Sequence, residues 1–284
     1  MAPISKISIE ELSNNYEALL FDAFGVLIDH QGPLPGAAGM IQWLNRAKKP
    51  FFVVTNDASR DASELSAWYN SHGLDIGPDR VISSGSILQT CCDEHGLSGQ
   101  EAVVLGPESS KRLVKQSGFT LSDWSTEQDF AALIICDEEG FPFPQAINHI
   151  ITRLFSMWER SINPSLILVN PDYIYPKGSH QFGITAGCIA ALIEAAVSAR
   201  YPSRREPLFI KIGKPYSPIF DEAVRRANTR KVIMIGDQIS TDIKGACNFG
   251  IDSALVPTGV SNLDPQTFSH VPTYIVETLG VFSS

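Results

Sequence analysis

Positive charge is scarce in this sequence: 22 lysines and arginines stand against 31 aspartates and glutamates, a net charge of −9. That balance excludes a broad electrostatic attraction to nucleic acid or to an anionic membrane, so neither is an expected partner. An anionic ligand must instead meet local positive charge, from a few Lys or Arg residues or from a metal. No run of about 18 apolar residues is present, which leaves no candidate for a membrane-spanning helix. Residues 1–17, MAPISKISIEELSNNYE, lack the apolar core of a secretory signal, and a cytoplasmic location is the expectation. They read instead as a short helix, with Ser8 and Glu11 spaced as a capping box. Cysteine is limited to Cys91, Cys92, Cys136, Cys188 and Cys247. An odd number with no zinc-type spacing reads as free thiols in a reducing compartment. Fixed-period repeats and low-complexity tracts are lacking as well.

What is present is an ordinary globular composition, 44 % hydrophobic and 19 % charged over 284 residues. That length suits one large domain or two smaller ones. Apolar strand-like runs alternate with helical patterns: EALLFD with AAGMIQWLNRAKK, PFFVVT with RDASELSAWYNSHG, KVIMIG with STDIKGACNFG. The alternation predicts βαβ units and an α/β fold, a doubly wound parallel (Rossmann-like) core sheet. Runs apolar on both faces fit strands covered on each side by helices. The middle alternates too, with Ile147, Ile150, Ile151, Leu154 and Met157 at helical spacing. SARYPSRREP, 198–207, reads as a polar, proline-marked linker. The predicted organisation is a core of 1–80 plus 207–284, with a smaller α/β domain of 81–206 inserted.

Four chemistry-bearing stations each follow a predicted strand, where ligands of open parallel sheets bind. Asp22, in FDAFGVL, is placed as a nucleophile toward phosphorus, with Gly25 letting the backbone bend close to a ligand. Thr55 and Asn56, in VVTNDASR, offer a hydroxyl and backbone N–H groups to phosphate oxygens. Lys214, in KIGKPYS, can neutralise charge on a transferring phosphoryl group. Asp237 and Asp242, in GDQISTDIKGA, bracket a helix start and suit a hard divalent cation. Each station alone reads equally as a turn, a cap or a surface lysine. Their order and common placement say more than any one of them.

Together FDAFGVL, VTNDASR, GKPYSPIF and GDQISTDIKGA, with a long insertion between the second and third, resemble the haloacid dehalogenase superfamily. The pattern is similar to the class with a large class II α/β cap, the NagD-like and nitrophenyl phosphatase-like predicted sugar phosphatases. LVNPDYIYP and GITAGCIAALIEAA resemble that cap's substrate loop and the helix after it. The resemblance implies a Mg²⁺-dependent phosphatase acting on a small phosphorylated metabolite. Asp22 would attack phosphorus and bind Mg²⁺ together with the Phe24 backbone carbonyl, Asp237 and Asp242. Thr55, Asn56 and Lys214 would hold the phosphoryl oxygens. Asp172, Tyr175 and His180 are the candidate cap contacts to substrate. Caps of this class often mediate dimers, so a homodimer is also an expectation.

The departure is Phe24. Phosphatases of this superfamily carry an aspartate two residues after the nucleophile, as general acid and then base. Its loss costs about 10²–10⁴-fold in rate. Three readings stay open: a phosphatase whose acid–base group lies elsewhere, such as Asp29; a catalytically weak or inactive binder of a phosphorylated ligand; or a metal-independent dehalogenase, whose leaving halide needs no proton.

Overall fold

The computed structural model describes residues 4–178, 181–203, 208–257 and 269–280. The apolar runs pack as strands of two sheets. The larger has seven strands in the spatial order Ser5–Lys6, Tyr274–Ile275, Asp252–Leu255, Val232–Gly236, Ala18–Phe21, Phe51–Thr55 and Val81–Ser83. Every neighbouring pair is parallel. Side chains alternate across it, as strand geometry requires. Leu19, Phe21, Ile233 and Ile235 enter one buried cluster, and Ala18, Leu20, Val232 and Met234 enter another on the opposite face. Ala18–Phe21 and Val232–Gly236 are therefore buried throughout. Phe21 lies opposite Ile235 on one side and Val53 on the other. This register brings the strand ends before Asp22, Asp237 and Asn56 to one edge of the sheet.

The second sheet is also wholly parallel, in the order Phe209–Lys211, Ser165–Leu168, Ala132–Ile135, Glu101–Leu105 and Thr120–Ser122. Helices Gln145–Glu159 and Ala186–Arg200 cover one face through Ile147, Ile150, Leu154, Ile189 and Ile193. On the other face Ala102, Val104, Ile134 and Ile167 join the same cluster as Ala18 and Leu20. The two sheets thus share one apolar body. The capping box at Ser8 and Glu11 is formed and opens helix Ile9–Asn15. Among the described residues, no helix is long and apolar enough to cross a membrane.

Two short strands pair otherwise than the expected division of the chain places them. Val81–Ser83, placed by sequence in the insertion, is the edge strand of the first sheet and pairs with Phe51–Thr55. Phe209–Lys211, placed in the core, pairs with Ser165–Leu168 in the second sheet. A three-residue apolar strand carries no periodicity that says which sheet it joins. Residues 204–207, including the expected boundary at 207, lie outside the described residues.

Phe21→Ala should cost about 3–5 kcal/mol, because Phe21 is fully buried in the central strand. Urea denaturation checks this, and a loss under about 1 kcal/mol would contradict a close-packed role for its ring.

Candidate active site

Asp22, Thr55 and Asp237 sit at the carboxyl ends of three adjacent parallel strands, or one residue beyond. The chain turns at Gly25 with φ +92°, and a Cβ there would lie 2.5 Å from Asp237 Oδ2. Glycine at 25 is thus required both by the backbone and by the carboxylate it faces. Asp242 arrives through a π-helical turn, Ile239–Ile243, in which the Ile243 N–H donates to Gln238 O at 3.2 Å. Single π turns of this kind recur at functional sites. Here the turn buries Asp242 completely. Lys214 comes from the other direction, three residues beyond the edge strand of the second sheet.

Lys214 Nζ donates to Asp22 Oδ1 at 2.6 Å and to Asp242 Oδ1 at 2.7 Å. The lysine is only 2 % exposed, so water contributes little to its solvation. Burial pulls its proton affinity down, but the charges of Asp22 and Asp242 outweigh this and hold it above the ordinary lysine value. Burial, aided by the Asp22 charge, pushes Asp242 up to about 6 against the opposing pull of Lys214. Asp22 Oδ1 also accepts from the Ala23 N–H at 2.7 Å, and Asp242 Oδ2 from the Gln238 N–H at 3.1 Å. One oxygen from each of Asp22, Asp237 and Asp242 lies within 4.8 Å of the others, and all three residues are buried. Three clustered carboxylates are the donor set of a hard divalent cation. A Mg²⁺ ion fits these residues.

Asn56 joins the two halves of the site. Its Oδ1 accepts from the Lys214 N–H at 2.7 Å. Its Nδ2 donates to Lys214 O at 3.0 Å and to Asp172 Oδ1 at 2.8 Å. The approach is close enough that a Cβ on Gly213 would lie 2.6 Å from both Asn56 Oδ1 and Pro171 Cδ. Thr55 Oγ1 accepts from the Asp57 N–H at 3.4 Å.

These groups open onto a cavity of about 210 Å³, lined among others by Asp22, Thr55, Asn56 and Lys214. Phe24 also lines it, as do Asp172 and Tyr175, which follow strand Ser165–Leu168 of the second sheet. Asp237 and Asp242 belong to the carboxylate cluster beside it. His180 lies outside the described residues. Asp29 is not among the cavity residues; its Oδ1 accepts from the Gln31 N–H at 2.7 Å, closing the turn of the small hairpin Ile28–Asp29 and Gly32–Pro33. Sequence reading missed Arg60, Trp68 and Tyr69, which form another wall. The signal was there in part: Leu65, Trp68 and Tyr69 follow i, i+3, i+4 spacing along helix Ala62–Ser71. Arg60 stacks over the Trp68 ring at 4.6 Å and pairs with Asp57 at 2.6 Å.

Lys214→Met would leave two buried carboxylates without their shared cation. In EDTA this variant should lose about 3–5 kcal/mol of stability by chemical denaturation. A loss under about 1 kcal/mol would mean that the ammonium contributes little to holding the site.

Comparison with known proteins follows the same outline. Residues 19–120 match the family model of haloacid dehalogenase-like hydrolases, and residues 211–281 match a second, HAD-hydrolase-like model. Dihydroxyacetone phosphatase of Corynebacterium glutamicum is 28 % identical over 92 % of this chain and 88 % of its own. A 4-nitrophenylphosphatase from Thermotoga maritima shares the fold, with a TM-score of 0.80 at 23 % identity over 95 % of this chain and 97 % of its own. A possible sugar phosphatase of the HAD superfamily from Cytophaga hutchinsonii superposes with a TM-score of 0.84 at 30 % identity. That match spans 98 % of this chain and 99 % of the other, so the chain belongs to the haloacid dehalogenase superfamily of hydrolases.

Proposed function

We propose that the chain is a Mg²⁺-dependent phosphatase of small phosphorylated metabolites, a sugar phosphate or an aryl phosphate, working through an aspartyl-phosphate on Asp22. The observation that carries this reading is the buried Lys214 ammonium within hydrogen-bond reach of both Asp22 and Asp242 at the cavity. Relatives named as dihydroxyacetone phosphatase and possible sugar phosphatase support the substrate class. The cavity, about 210 Å³, favours a small ester over an extended one.

Asp22 presents a carboxylate oxygen to phosphorus; an O–P bond forms as the ester P–O bond breaks, and water later releases phosphate. Lys214 stands beside the place where negative charge builds on the phosphoryl oxygens. Thr55 and Asn56 hold those oxygens in position. Asp22, Asp237, Asp242 and the Phe24 carbonyl would hold Mg²⁺, which supplies charge neutralisation for the transferring group. The second sheet with its helices acts as the cap, roughly from residue 84 to residue 212. It brings Asp172 and Tyr175 to the leaving group and excludes bulk water.

Hydrolysis of 4-nitrophenyl phosphate and of dihydroxyacetone phosphate, with Mg²⁺ and with EDTA, tests the reading. Turnover should require Mg²⁺ and fall to the uncatalysed background in Asp22→Asn. Asp237→Asn should raise the Mg²⁺ concentration needed for half-maximal rate. Phe24 favours a second reading, a binder of phosphorylated ligands without catalysis. Ligand binding with no turnover after prolonged incubation with Mg²⁺ would establish that alternative. Metal-independent halide release from a 2-haloacid would instead establish a dehalogenase. Light scattering on the same preparation should give a dimer.

A further inference from the structure

An ester oxygen leaving phosphorus needs a proton unless the leaving group is already acidic, and the phenyl ring at Phe24 cannot give one. The question is which other group at the cavity can. Asp22 is committed to phosphorus, and Lys214 donates to two carboxylates. Asp57 accepts from the Ser59 and Arg60 N–H groups and pairs with the Arg60 guanidinium, so both its oxygens are engaged as acceptors. Arg60 itself does not give up a proton. Burial holds the Tyr69 phenol above its ordinary value, further from donating near neutrality. Asp172 remains.

Its position is fixed from several sides. The Asp172 N–H donates to Asn170 Oδ1 at 3.0 Å. Its carbonyl accepts from the Gly187 N–H at 3.0 Å and from the Thr185 hydroxyl, at the start of helix Ala186–Arg200. Its Oδ1 accepts from Asn56 Nδ2 at 2.8 Å, and the same amide is hydrogen-bonded to the backbone of Lys214. Asp172 lines the cavity that Asp22, Phe24 and Lys214 also line.

We propose that Asp172 supplies the acid–base function that Phe24 cannot, as a catalytic residue delivered by the cap loop. This rests on the phosphatase reading above. As the P–O bond breaks, its electron pair goes to the leaving oxygen, which takes the Asp172 proton and departs as an alcohol. Water then attacks the phosphorus of the aspartyl-phosphate and gives its proton to the Asp172 carboxylate. Inorganic phosphate leaves, the Asp22 carboxylate is restored, and Asp172 is again protonated. Burial pushes Asp172 up to about 6, with Lys214 and Asn56 pulling down and the Asp242 charge pushing up. A carboxyl poised there carries a proton in a useful fraction near neutral pH.

The test compares glycerol 1-phosphate, whose leaving alcohol needs a proton, with 4-nitrophenyl phosphate, whose leaving phenolate does not. Asp172→Asn keeps an oxygen to accept from Asn56. It should lower kcat/KM on the alkyl ester about 10²–10⁴-fold and on the aryl ester less than about tenfold. The alkaline limb near pH 6 in the alkyl-ester profile should vanish with it. Adding Phe24→Asp to Asp172→Asn should restore alkyl turnover. Equal losses on the two esters, or no loss on either, would overturn the proposal, since a merely structural Asp172 acts on both alike. A wild-type protein that hydrolyses neither ester would overturn the phosphatase reading itself, and this inference with it.

Discussion

Lys214 places an ammonium where almost no water reaches, 2.6 Å from Asp22 and 2.7 Å from Asp242. A buried cation costs several kcal/mol of lost hydration unless opposite charges and hydrogen bonds surround it. The rest of the site follows from that requirement. Asp22 must leave a central strand at the level of Lys214, which the parallel register of Ala18–Phe21 against Val232–Gly236 ensures. Asp242 must reach back toward the strand ends, which the π turn accomplishes. Gly25 must yield its side chain so that Asp237 can stand beside them. Three carboxylates and one ammonium leave an excess of negative charge, which is the electrostatic setting a divalent cation satisfies.

Much of this was legible in the sequence because the signals were local. A short apolar run ending in Asp, Thr or Gly-Asp marks the end of a buried strand, and parallel sheets gather such ends. Asp22, Thr55, Asn56, Lys214, Asp237 and Asp242 were singled out that way, and the structure brings them together around one cavity and its adjoining carboxylate cluster. What escaped was non-local. Phe209–Lys211 looks like any core strand, and only its pairing partner reveals the second sheet. Trp68 enters the cavity wall through the rotation of helix Ala62–Ser71, which spacing alone fixes only to within a face, and Arg60 enters from the turn before that helix. Asp29, seven residues past Asp22, stood in the sequence as a candidate for acid–base work. Its carboxylate is instead occupied within its own turn.

Phe24 takes a different meaning in three dimensions. Phe24 lines the cavity together with Asp22, and Asp172 lines it from the loop after strand Ser165–Leu168 of the second sheet. On the proposal above, a function ordinarily written within three consecutive residues is divided between two parts of the fold. Asn56 connects them, because one amide side chain hydrogen-bonds the lysine backbone and the loop carboxylate together.

That connection also fixes where the chain crosses between the two sheets. Ile212 is tied to the second sheet by its N–H to Leu168 O at 3.2 Å, and Lys214 is tied to the first through Asn56. Gly213 alone lies between the two anchors. On this side of the molecule, the chain passes from the bonding of one sheet to that of the other within a single residue. The joint is one that a side chain would jam, against both Asn56 and Pro171. The crossing from one sheet to the other thus falls to a residue with no side chain, directly beside the lysine of the site.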